Sequence, residues 1–151
     1  MYTLRIIEYG SCDYQDMVSM RDNVLRRPLG LTFTQKQLQQ EINDVLIGCF
    51  NTAADKSELI GCCILTPVDE NTVQLRQMAV TPTLQQKGIG SKLLAFAEDQ
   101  ARNNGFHTLM MHAKKPVVSF YQHQGYIVTG DEFDEAGVPH VKMSKTLQEP
   151  E

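Results

Sequence analysis

Residues 73–94 read VQLRQMAVTPTLQQKGIGSKLL, and inside them the chain changes from one periodicity to another. A strand from Thr72 to Val80 runs into a Thr-Pro loop, after which Gln85-Gln86-Lys87-Gly88-Ile89-Gly90 opens a helix. From Gly88 to Asn104 the apolar residues Ile89, Leu93, Ala97 and Ala101 fall on an i, i+4 line, with Leu94 and Phe96 beside it. Gly105 supplies a C-terminal stop. The first residues of a helix have backbone N–H groups without intrahelical partners, and the helix dipole adds partial positive charge there. Gly88 and Gly90 let an anion approach the main chain closely, and Lys87 adds a cation, so the segment has the makings of a diphosphate cradle. It contains neither Gly-x-Gly-x-x-Gly nor Gly-Lys-Ser/Thr. Taken alone, the two glycines serve a tight loop and close helix packing equally well.

Working outward, Val45 to Asn51, Leu59 to Pro67 and Thr72 to Val80 are strand candidates. The polar spacers Asp55-Lys56-Ser57 and Asp69-Glu70-Asn71 between them predict an antiparallel meander. Before the meander stand a strand, Thr3 to Glu8, and a helix with Asp13 as N-cap. That helix carries Met17, Met20, Val24 and Leu25 and stops before Pro28. Thr34 is placed to cap a second, short helix holding Leu38 and Ile42. Beyond Gly105 come a strand, His107 to Ala113, and a short helix, Val117 to Gln124, introduced by Pro116. Two strands follow, Gly125 to Thr129 and His140 to Leu147, separated by the acidic Gly/Pro-containing stretch 130–139. The expectation is an α/β fold (α+β by stricter naming): one domain over 1–151, with a mixed, mostly antiparallel sheet of six or seven strands and about four helices.

At 151 residues the chain is long enough to bury about 70% of its unfolded surface, so it needs no staples. With 42% hydrophobic and 21% charged residues, the composition argues against disorder. Fourteen Lys and Arg against 18 Asp and Glu give a net charge of −4, which lends no electrostatic support to a nucleic-acid partner, and none is expected, but leaves room for a local basic pocket that takes a small anion. Cys12, Cys49, Cys62 and Cys63 have neither zinc-type nor disulfide-framework spacing, and Cys62 and Cys63 would point to opposite faces of a strand. These are the marks of reduced thiols in a cytoplasmic protein. The first residues meet an acid, Glu8, before any signal-type apolar stretch, and no run approaches the ~20 apolar residues that span a bilayer. No membrane partner and no metal is expected.

The same stretch resembles the GNAT superfamily of N-acetyltransferases, whose signature is Arg/Gln-x-x-Gly-x-Gly/Ala at the start of the main helix. Gln85, Gly88 and Gly90 hold its three specified positions. A second family feature, Phe/Tyr-Tyr followed by Gly-Phe/Tyr, is matched by Phe120-Tyr121 and Gly125-Tyr126. The resemblance implies an acyl-CoA N-acyltransferase fold with acetyl-CoA as co-substrate. The diphosphate would lie on Gln86, Lys87, Gly88, Ile89, Gly90 and Ser91. The pantetheine arm would run along Met78, Ala79 and Val80, where the family's strand splays from its neighbour. A main-chain N–H near Met78 would then face the oxyanion. Tyr121 matches the tyrosine beside the cofactor sulfur and takes the general-acid role; as an unassigned residue it would be a half-buried helix aromatic.

Acetyl transfer to an amine also needs a base, and histidine is suited to that near neutral pH. Of the four histidines, His107 and His123 sit beside helix ends and read as surface residues. His112 lies near the end of a central strand, within reach of cofactor or acceptor. His140 follows Gly137-Val138-Pro139, a turn able to aim it into a cleft. The chain further resembles the glyphosate N-acetyltransferase group, through Leu25-Arg26-Arg27-Pro28, Gln74-Leu75-Arg76-Gln77-Met78-Ala79, and Pro139-His140 followed by Met143. That resemblance implies His140 as base and Arg26 and Arg76 as anchors of an anionic acceptor. Lys114 stands where the group has arginine, a point charge in place of a planar fork. The expected acceptor is therefore a small acidic amine, amino-acid or aminophosphonate-like, rather than glyphosate itself, attacking directly in a ternary complex. Alternatives are a peptide or protein acceptor, or a non-catalytic acyl-CoA-binding regulatory module. Apolar strand edges allow a homodimer.

Overall fold

Val45–Asn51 (β2), Glu58–Pro67 (β3) and Thr72–Val80 (β4) form the antiparallel meander that the polar spacers predict. Its second turn is closed by Asp69, whose carboxylate accepts the N–H groups of Asn71 and Thr72, both at 2.8 Å. The computed structural model describes residues 2–52 and 57–147, so Asp55-Lys56 of the first spacer and the last four residues of the expected domain lie outside it. Tyr2–Ile7 (β1) pairs antiparallel with β2. Thr108–Lys114 (β5) lies parallel to β4, and Val138–Thr146 (β8) runs antiparallel to β5. Ile127–Val128 (β6) and Phe133–Glu135 (β7) both pair with β8. The path is β1-β2-β3-β4-β5-β8-β6 with β7 on β8: eight strands among the described residues, against the six or seven expected.

The additional strand, β7, sits in the stretch expected to be a loop. Glu135 pairs with Val138, leaving Ala136-Gly137 as a two-residue turn with φ of 53° and 77°. Positive φ at both central residues is what a tight hairpin turn requires. β6 keeps only Ile127 and Val128 of the longer strand expected there, and both are exposed.

Among the described residues four α-helices flank the sheet. In Cys12–Arg21 (α1) the cap is Ser11 rather than Asp13: the Ser11 hydroxyl accepts the Tyr14 N–H at 3.2 Å. Asp13 instead sits in the first turn and pairs with Arg5 at 2.7 Å. The α-helix ends at Arg21, before Pro28 as expected, but the chain stays helical. It widens into a π-turn, Asp22–Arg26, and then tightens into a 3₁₀ turn, Arg27–Leu29, where proline at the start sacrifices no hydrogen bond. Gln35–Gln39 (α2) is capped by Thr34 in a capping box with Gln37, while Ile42 falls beyond its end and is exposed. Ile89–Asn103 (α3) follows Gly88 at φ 85°. Val118–His123 (α4) is led in by a 3₁₀ turn, Lys115–Val117.

The sheet separates two cores. Ile89, Leu93, Ala97 and Ala101 of α3 pack with Cys63, Leu65, Val73 and Leu75 on one face. Tyr14 and Met17 of α1 pack with Leu46, Phe50, Cys62 and Ile64 on the other. Cys62 and Cys63 do face opposite ways, and all four cysteines are free. Among the described residues no helix is long and apolar enough to cross a membrane.

Candidate active site

Strands β4 and β5 pair only from Thr72↔Thr108 to Leu75↔Met111, and then part. β5 continues on β8 as far as Lys114↔His140, so the gap opens on the β4 side. Within β4 the ladder to β3 jumps from Ile64↔Arg76 to Cys62↔Ala79, leaving Gln77 and Met78 opposite Cys63 alone. Gln77 takes φ 56°, the left-handed conformation that such a bulge uses. The extra residue reverses the alternation of faces. Ala79 joins the α1-side core, while Met78 and Val80 pack on the α3 side. The bulge therefore re-aims the backbone of residues 77–80 where the two strands separate.

A cleft of about 1040 Å³ fills the gap. Its wall includes Met78, Ala79 and Val80 from β4 and Gln85, Gln86, Gly88, Gly90 and Ser91 from the loop and helix start. The first intrahelical bond of α3 runs from the Lys92 N–H to the Gly88 carbonyl at 3.2 Å, so the N–H groups of Ile89, Gly90 and Ser91 have no partner within the helix. Gly90 leaves room beside Phe120, whose ring a Cβ would meet at 3.5 Å. The Gln85 side-chain amide donates to the Val80 carbonyl at 3.1 Å and ties the loop to the strand end. Two expected cofactor residues sit differently: the Ile89 side chain is buried in the core, leaving only its main chain for the cleft, and Lys87 is exposed outside the wall.

Tyr121 and His140 meet at this cleft from α4 and β8, and both are buried. The Tyr121 hydroxyl lies 3.9 Å from the Met78 sulfur, a weak acceptor. Burial, with Cys63 adding a smaller effect, pushes the phenol well above its ordinary value, so it stays protonated. The ring is held edge-on by Phe120 and Tyr126, at centroid distances of 5.1 and 5.9 Å. Nδ1 of His140 lies 2.7 Å from the Val138 carbonyl. A carbonyl only accepts, so Nδ1 carries the hydrogen, and in the neutral ring Nε2 keeps a free lone pair. His107 and His123 are exposed at the surface, as expected.

Arg26, Arg76, Lys114 and His112 also line the cleft. Among the described residues none of the three cations has a carboxylate within ion-pair distance. Arg26 reaches the wall from the π-turn, with its guanidinium carbon 4.4 Å from the Phe33 ring centroid. Val24, Leu25 and Leu29 give that side an apolar lining. Sequence reasoning missed Glu135, which contacts His112 at 2.9 Å and lies 3.6 Å from His140. Its position two residues before Gly137 marks it only once the hairpin is known. Among the described residues no group of three or more His, Cys, Asp or Glu side chains is placed to hold a metal ion.

The sequence profile described as an acetyltransferase (GNAT) domain matches residues 22–147. The protein named Probable N-acetyltransferase 14 in Xenopus tropicalis is 34% identical over 80 residues, which are 50% of this chain and 39% of that protein. The chain thus spans less than half the length of that relative. A crystal structure from Lactobacillus plantarum, assigned to the N-acetyltransferases, superposes with a TM-score of 0.83 at 22% identity, covering 97% of this chain and 99% of its own. A GNAT family acetyltransferase from Elizabethkingia anophelis, solved with acetyl-CoA bound, superposes at 0.73 and 19% identity, over 97% and 98% of the two chains.

Proposed function

Because the chain belongs to the acetyltransferase (GNAT) family, we propose that it transfers an acetyl group from acetyl-CoA to the amine of a small acidic acceptor. The observation that carries this reading is the meeting, in one cleft, of a diphosphate-ready helix start, a buried tyrosine and histidine, and three cations with no carboxylate of the described residues within ion-pair distance. The donor fits this chain's residues: unpartnered N–H groups at Ile89, Gly90 and Ser91 suit a diphosphate, and the splayed edge of β4 suits an extended amide-bearing arm. The related structure holding acetyl-CoA supports the same donor.

Arg76 and Arg26, with Lys114, would hold the acceptor's acid group, Arg through paired N–H donors and Lys as a point charge. Nε2 of His140 takes the proton that the amine must lose. Tyr121 donates toward the sulfur as the carbon–sulfur bond breaks. Attack is direct. Cys62 and Cys63, the thiols in β3 beside the bulge, are fully buried, and desolvation pushes Cys62 up to about 12 and Cys63 well above its ordinary value, so neither supplies a thiolate nucleophile.

The test is CoA release from acetyl-CoA in the presence of pooled amino acids, aminophosphonates and peptides. Turnover on small acidic amines is the expected result. Preference for the peptide pool would move the acceptor to a protein terminus or lysine. Binding of CoA with turnover on nothing would leave an acyl-CoA-binding module.

A further inference from the structure

We propose that Glu135 and Nε2 of His140 form a two-point anchor for the acceptor's ammonium group, so that the protein takes its amine in the protonated form. This rests on the acetyltransferase reading above and names the chemistry at the amine end of its acceptor. His140 is 5% exposed, and its Nδ1–H is committed to the Val138 carbonyl at 2.7 Å. In the neutral ring Nε2 then lies 3.6 Å from Glu135 Oε2, on the neighbouring strand of the same cleft wall. A carboxylate only accepts, so with the ring neutral two acceptors stand opposite each other with no hydrogen between them. A donor with two N–H bonds, such as an alkylammonium, satisfies both.

The carboxylate is held for this purpose. Its other oxygen, Oε1, takes the Nδ1–H of His112 at 2.9 Å. Phe133, on the same short strand as Glu135, stacks on His140 (centroids 6.0 Å apart, planes at 26°) and meets His112 edge-on at 5.0 Å. Among the described residues the two histidines bring ring nitrogens within 4 Å of the Glu135 carboxylate, while Glu132 is engaged by Lys115 at 2.6 Å. The charged groups on the facing elements, Arg26, Arg76 and Lys114, are cations and suit the acid end of the acceptor instead.

The step balances. The ammonium donates one N–H to Glu135 and one to His140, and the second proton moves to Nε2 while its bonding pair stays on nitrogen. The new imidazolium faces the Glu135 carboxylate. The freed amine attacks the thioester carbonyl, a carbon–nitrogen bond forms, and the carbon–sulfur bond breaks. Of the two protons that the nitrogen sheds, one ends on His140 and the other reaches the sulfur through Tyr121.

The test compares wild type, Glu135→Gln and Glu135→Asp on two acid-bearing acceptors. One is the best aliphatic amine from the acceptor screen, charged at neutral pH; the other is aminooxyacetate, whose nitrogen is uncharged there. Glu135→Gln is expected to raise KM for the ammonium acceptor by about 30-fold and to leave aminooxyacetate and acetyl-CoA within about twofold. Glu135→Asp should recover part of the loss. Equal loss on both acceptors, or loss on neither, overturns the anchor while leaving the acetyltransferase reading intact. A wild-type protein that acetylates no amine overturns both.

Discussion

Val138 contributes a carbonyl that sets the chemistry of its neighbour two residues on, since it fixes which nitrogen of His140 carries the hydrogen. If that ring is the base, His140→Ala should lower kcat by about 10²–10⁴-fold. Tyr121→Phe keeps the packing against Phe120 and Tyr126 and removes only the hydroxyl, so kcat should fall by about tenfold or more with stability nearly unchanged. In both variants the dissociation constant for CoA, measured by calorimetry, should stay within about twofold, because neither group belongs to the helix start. Wild-type turnover in both would remove these roles. Arg76→Ala should act on the acceptor instead, raising its KM by about 10–100-fold through loss of a charge-assisted contact. Arg76 was legible in the sequence through the Gln74-Leu75-Arg76-Gln77-Met78-Ala79 stretch that carries the glyphosate N-acetyltransferase resemblance. Glu135 was not, because a surface carboxylate in an acidic stretch looks like any other until the hairpin turns it toward two histidines.

At the scale of elements, two buried polar clusters hold the pieces that frame the cleft. Glu98 on α3 accepts from Tyr126 at 2.8 Å and from Lys145 on β8 at 3.2 Å, locking helix to sheet. Tyr126→Phe should therefore cost about 1–3 kcal/mol in a denaturant melt, more than a lost exposed hydrogen bond would. On the other face Arg21 and Glu41 pair through two bonds, 2.9 and 2.6 Å, and Tyr14 adds a third at 2.8 Å. Glu41→Ala would leave the buried guanidinium unpaired, at a cost of about 3–5 kcal/mol, and loosen the turn that carries Arg26. The long helix, the meander and the Thr34 cap could be read from the sequence because their periodicity and capping chemistry are local. The bulge at Gln77 and the π-turn at Asp22–Arg26 could not. Each inserts a single residue into a regular element without a glycine or proline to mark it, and together they re-aim the β4 backbone and place Arg26 in the wall. The Ala136-Gly137 hairpin also escaped notice, since alanine is not a residue that announces positive φ.

For the whole molecule, a net charge of −4 coexists with a cleft lined by three cations, Arg26, Arg76 and Lys114, so the local field favours an anionic ligand on a protein that is acidic overall. Burial also sets an alkaline limit on stability. Cys62, Cys63, Tyr121 and Tyr126 all have raised folded-state values, with desolvation the leading cause. Unfolded thiols and phenols lose their protons first, so above about pH 9 the unfolded state binds fewer protons than the folded one and stability falls as pH rises. For Cys62 that window runs from 9.0 up to about 12. Tm should decline steadily from pH 9 to 11 (values chosen to bracket the ordinary thiol and phenol range, roughly 8.5–10), and Cys62→Ala should flatten the decline. The central claim, an acetyl-CoA site at the parting of β4 and β5, is tested most directly by thermal unfolding with acetyl-CoA, CoA, ATP and NAD side by side. A ligand at 100 times its dissociation constant adds about 2.7 kcal/mol, a rise of roughly 5–10 °C for a chain of this size. The account predicts that rise with acetyl-CoA and with CoA, and none with ATP or NAD; no rise with either thioester or free CoA would contradict it.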